Sequence, residues 1–146
     1  MKKVLSLLGS LGLVATTASV VVSCQTKIKT SELEKYAKLM EEVKPTMKIL
    51  GKDLPLKPLD FKKYVIQEIQ KFCQDNKLDS EVYIPFADLK TLSINDQEII
   101  KNGKLIVDED KELSKDLFKP SEGEKSVPIT VLIQNVTFTF NLAIFE

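Results

Sequence analysis

The stretch VPITVLIQNVTFTFNLAIFE, residues 127–146, decides the fold class. It is β-branched and aromatic, and apolar and polar side chains alternate along it, the period-two pattern of half-buried strands. Val136, Phe138, Phe140, Leu142 and Ile144 therefore share one face, and Gln134-Asn135 marks a turn between Ile133 and Val136. Working back from there, Lys119 to Ser126 reads as loop, and Asp108 to Phe118 offers one or two helical turns. Asn102-Gly103 sits between the apolar runs Glu98–Lys101 and Lys104–Val107. Asn-Gly so flanked signals a hairpin, because both central residues of a type I′ turn need φ > 0. The competing reading is a short helix from Asp96 to Asn102 with Gly103 as its C-cap. Asn95-Asp96, after Leu92-Ser93-Ile94, marks another turn, and Val82, Ile84 and Phe86 alternate as a strand would.

Before residue 80 the period is helical. Leu33, Tyr36, Ala37, Met40 and Val43 recur at helical spacing, and Ser31 with Glu34 three residues later has the form of a capping box. Pro45 stops that helix near Val43 or Lys44. Met47 to Pro58 reads as a loop punctuated by Gly51, Pro55 and Pro58. Asp60 is a suitable N-cap for a second helix with the stripe Phe61, Tyr64, Val65, Ile69, Phe72 and Cys73. The expected fold is α+β: two amphipathic, antiparallel helices, 31–44 and 60–76, followed by a small antiparallel β-sheet or half-sandwich. The helical part would occupy 31–78 and the β-rich part 79–146 of a single domain.

Composition narrows the chemistry. The 146 residues contain 21 Lys, 21 acidic residues and no Arg, His or Trp. Without histidine there is no imidazole acid–base catalysis, no usual serine or cysteine triad and no histidine-ligated zinc. Balanced charge, with lysines interleaved among acids, argues against nucleic-acid binding. Asp108-Glu109-Asp110-Lys111-Glu112 is no EF-hand, since Leu113 stands at the sixth position and Lys119 at the twelfth; acids opening a helix explain it. Five scattered glycines make no phosphate loop. No catalytic residues, metal ligands or cofactor are expected. Cys73, on the apolar helix stripe, reads as a small core hydrophobe.

The N-terminus carries the strongest functional signal. Met1-Lys2-Lys3 is followed by an uncharged stretch from Val4 to Ser23, with a leucine-dense first half. A basic start and an apolar run of this size mark a secretory signal. It ends in Val20-Val21-Val22-Ser23-Cys24, which resembles the lipobox of bacterial lipoproteins, with Val21 where leucine is usual. An uncleaved anchor is the competing reading, since 20 uncharged residues can span a bilayer. Against it, Ser6, Ser10, Thr16, Thr17 and Ser19 dilute the stretch, and no basic cluster follows at once. The leader as a whole is similar to those of mollicute lipoproteins, the spiroplasma and mycoplasma type. That resemblance covers about a sixth of the chain and says nothing of the mature domain.

The resemblance implies that the Cys24 thiol receives a diacylglyceryl group and that cleavage falls between Ser23 and Cys24. Palmitate-type acyl chains would then hold the protein on the extracellular side of the cell membrane. Two or more buried chains anchor stably where one binds marginally. Residues 25–30 form a tether of at most about 20 Å, so the domain sits close over the headgroups. Removal of residues 1–23 leaves 19 Lys against 21 acids. The expected function is that of a lipid-anchored, adhesin-like binding module with a protein partner at the cell surface. The alternatives are an accessory or ligand-capturing lipoprotein of a membrane transporter and a small exported hydrolase using carboxylates.

Overall fold

The computed structural model describes residues 28–76 and 83–146. Their elements are α1 (Thr30–Val43), β1 (Thr46–Leu50), α2 (Pro58–Asp75), β2 (Leu89–Ile94), β3 (Gln97–Lys101), β4 (Lys104–Leu105), β5 (Val127–Ile133) and β6 (Val136–Phe145). Single 3-10 turns lie at Gly51–Asp53, Phe86–Asp88 and Lys115–Phe118. The strands form one sheet in the order β1-β6-β5-β2-β3-β4. This is the α+β fold read from the period change, built as a helix layer on one mostly antiparallel sheet.

The β5–β6 hairpin is its spine. Val131 pairs with Phe138 and Ile129 with Phe140, so the inward row of each strand is continuous with the other. Val127, Ile129, Val131, Ile133, Val136, Phe138, Phe140 and Leu142 are all buried, while Thr137 and Thr139 on the opposite face are exposed. Gln134 turns the chain with φ +58°. The two other turns also have the left-handed geometry. Asn95 and Asp96 take φ of 52° and 67°, and Asn102 and Gly103 take 53° and 78°. The second joins β3 to β4, so residues 97–105 form a hairpin and the short-helix alternative is excluded. A bulge in the β2–β3 pairing lets Ile99 and Ile100 both be buried.

Both helices contribute their apolar stripes to the same core. Leu33, Tyr36 and Met40 of α1 and Phe61, Val65, Ile66, Ile69, Phe72 and Cys73 of α2 join the inward sheet rows in one cluster. Burying each of these larger side chains stabilises the fold by about 1.5–3 kcal/mol. Helix α1 and strand β1 run one after the other along β6. The start of α1 is tied to the β5–β6 turn, where Thr30 Oγ1 donates to Gln134 Oε1. Its end is marked by Lys44 at φ 50°, after which the Pro45 carbonyl accepts from Asn141 N at 3.1 Å.

Several local expectations are corrected. Residues 46–50 form a strand, parallel to β6 with Thr46 opposite Asn141 and Leu50 opposite Phe145, where a loop was expected from Met47. Without this strand the edge of β6 beyond Asn141 would be open, and Met-Lys-Ile-Leu alternates well enough to fill it. Ser31 and Glu34 make no capping box: α1 starts at Thr30 with Lys29 as N-cap and no side-chain cap bond. Asp60 lies inside the first turn of α2, which begins at Pro58 after Lys57. Proline at the first helical position is pre-organised and has no N–H to leave unpaired. Ile84 and Phe86 continue no strand, because Pro85 intervenes and Phe86–Asp88 tightens into a 3-10 turn; Val82 lies outside the described residues. The acids from Asp108 open no helix. Asp108 Oδ1 accepts from Asp110 N at 3.0 Å in a side-chain-closed turn, and the one helical turn of this region is Lys115–Phe118, capped by Ser114.

Candidate functional site

Register and turn contacts give the molecule two poles. At the first, Gln134 is the hub: its Nε2 donates to Asp88 Oδ2 at 3.0 Å and to the Ile28 carbonyl at 3.4 Å, and its N–H donates to the Asp88 carbonyl at 3.0 Å. Ile28 is buried there, and its N–H donates to the Tyr83 carbonyl. At the second pole lie the ends of β1 and β6 and the Asn95-Asp96 turn, whose Asn95 Nδ2 donates to the Lys119 carbonyl at 3.1 Å. Strand β6 runs from one pole to the other. Its ten residues at about 3.3 Å each span about 30 Å.

A cleft of about 560 Å³ opens at the second pole. Three segments build it: the turn after β1 with its continuation to Leu56, the loop from Lys115 to Lys125, and the end of β6. Its walls are of two kinds. Leu142 and Phe118 are buried, and Leu54, Leu56 and Ile144 are half-buried. Phe118 is held edge-on against Phe61 of α2, with ring centroids 5.3 Å apart. The Leu113 N–H donates to the Leu56 carbonyl at 2.6 Å, which pins the loop to the β1–α2 connection.

The polar lining is basic. Lys52, Lys115, Lys119 and Lys125 stand around the cleft with a single acidic side chain, Glu146. Lys119 also pairs with Asp116 at 2.9 Å, but both are about three-quarters exposed, so that pair contributes little and leaves the ammonium available. A cleft with apolar walls and cations at its lip can take an anion that carries an apolar group. Paired-carboxylate hydrolysis needs two acids flanking a bond, and this cleft presents one carboxylate side chain among four ammonium groups.

Ser23 and Cys24, the cleavage and lipidation residues expected from sequence, lie outside the described residues, with the whole leader. Cys73 is a buried free thiol, and burial pushes its pKa up to about 12. Among the described residues no cluster of three or more acids or cysteines could hold a metal ion, and no helix is long and apolar enough to cross a membrane. Lys62 is the one buried charged residue among those described, 6% exposed, with Nζ 3.9 Å from the centroid of the Phe86 ring. Burial lowers its pKa, and the Lys90 charge lowers it further.

The cleft lysines were invisible as a set in the sequence. They are scattered from residue 52 to 125 among nine other lysines, each beside an acid or in a loop, with no spacing to link them. The pairing of β1 with β6, the Leu113–Leu56 bond and the Asn95 bond to the Lys119 carbonyl bring them together. No family model, curated protein or solved structure matches the chain.

Proposed function

We propose that the protein is a mollicute-type lipoprotein of the cell surface, anchored through Cys24 and acting by binding. The observation that carries this reading is the leader, with its basic start, apolar run and Val-Val-Ser-Cys end. The arrangement of the folded part supports it. Ile28, four positions after Cys24 in sequence, is packed at the first pole, and four residues of chain reach at most about 14 Å. The membrane would then lie under the Gln134 hub, and the cleft would face the medium. The cleft also favours ligand capture, as by an accessory subunit of a transporter, over adhesion alone.

The test is processing of the full chain in a lipoprotein-maturing bacterial host, followed by precursor size and detergent-phase partitioning. The parent chain should lose residues 1–23 and partition with detergent. Cys24→Ser should persist as precursor, because the signal is cut only after the thiol is acylated. Unchanged maturation of Cys24→Ser would overturn the reading.

A further inference from the structure

We propose that the cleft at the second pole binds a free amphipathic anion, specifically a single-chain aliphatic carboxylate. The inference deepens the surface-binding reading and takes its setting from it, but its chemistry stands on the cleft alone. The volume, about 560 Å³, falls within the roughly 300–1,000 Å³ of small-molecule sites.

Two observations define the ligand class. First, Leu54, Leu56 and Ile144 are left half-buried around buried Leu142 and Phe118. The fold has brought aliphatic surface together without covering it, and an aliphatic chain laid there would remove both surfaces from water. Second, with Lys119 paired to Asp116, three further lysines of the lining face one acidic side chain, although the whole chain is balanced at 21 to 21. This is therefore a local excess of positive charge over low-dielectric walls, which focuses the field on an entering anion. Lysine suits the role, since its stem can cover apolar wall while its ammonium stays at the wet lip.

Competing ligands fit less well. An inorganic anion would leave the aliphatic wall unused, and the lining has no arginine fork to hold a phosphate bidentately. A nucleotide base would need a stacking ring at the lip, and Phe118, the aromatic residue of the lining, is 6% exposed and engaged with Phe61. The headgroups of the protein's own membrane lie at the opposite pole, about 30 Å away along β6. The carboxylate therefore comes from the medium.

Saturation-transfer NMR with octanoate and the full chain tests this. The decisive comparison is with the triple variant Lys52→Glu, Lys115→Glu, Lys125→Glu, whose sites are exposed and whose leader is the same. The parent should saturate the octanoate methylenes with a dissociation constant at least tenfold below that of the variant. Octyltrimethylammonium should show the reverse order, binding the variant more tightly than the parent, and inorganic phosphate should not displace octanoate. Circular dichroism checks the fold, and a Lys→Gln triple replaces the variant if it does not fold. Leu54→Asp should weaken octanoate without changing any lysine. Equal binding by parent and variant overturns the proposal, as does displacement by phosphate alone. Binding to anionic phosphatidylglycerol vesicles without binding to octanoate overturns it in favour of a lipid surface. None of these readouts depends on processing at Cys24, so this site and the anchor can fail separately.

Discussion

At the scale of single residues, burial dominates the titration of the core. The Cys73 thiol lies in the core beside the α2 stripe, and burial outweighs the backbone hydrogen bond that pulls its pKa the other way, leaving it near 12. Tyr64 is also pushed up to about 12, by burial first and then by the Glu68 carboxylate. Both groups keep their protons in the folded state at pH values where the unfolded chain has released them. Their stabilising contribution is whole below pH 9 and is lost as the pH rises toward about 12. Urea midpoints should therefore fall steadily across that alkaline window. In the Cys24→Ser chain, where Cys73 is the remaining thiol, a thiol reagent at pH 8 should react only after urea unfolds the protein. Rapid reaction of the native chain would contradict the burial. That a cysteine on the apolar stripe would be inert core was legible from its position, because a helix stripe and a burial pattern are the same fact seen twice.

At the scale of elements, turns and stripes were legible and helix starts were not. Asn102-Gly103 turns the β3–β4 hairpin because both residues take positive φ, and the Gly103 N–H also donates to the Lys90 carbonyl at 2.8 Å. Gly103→Val should lower stability by about 1–2 kcal/mol, the cost of a side chain in the left-handed region. Denaturant unfolding at constant slope measures it, and an unchanged midpoint would show that the turn tolerates L side chains. The caps were misread because Ser31-Glu34 and Asp60 satisfy a local rule that tertiary contacts override. Thr30 is held to Gln134 and Lys57 Nζ to the Asp110 carbonyl, at 2.7 Å, so the long-range partners set where each helix opens.

At the scale of the whole molecule, the β6 strand separates a pole that gathers the N-terminal end of the described chain from a pole that gathers lysines. Under the proposed anchoring this sets an orientation. Single labels at Asn135→Cys and Lys125→Cys, both exposed sites, should differ when the lipidated chain is held on vesicles. The label at 135 should be quenched strongly by a headgroup quencher, and that at 125, beyond the far end of the seven-residue β5 and so about 20 Å further out, weakly. Buried Cys73 should take no label and so leaves each signal clean. Equal quenching would mean that the domain lies on its side, with the cleft against the membrane.

The sequence by itself determined the α+β class, the two helix stripes, the β5–β6 hairpin and all three left-handed turns. Each of these follows from periodicity or from the dihedral limits of neighbouring residues, and such physics is contained within a few positions of the chain. The tertiary structure alone decided that residues 46–50 are a strand, where the helices begin, and that four lysines surround an aliphatic cleft. A strand edge, a cap with a distant partner and a convergent set of charges exist only between segments far apart in sequence. No local pattern encodes them, because the free energy that selects them is released only when those segments meet.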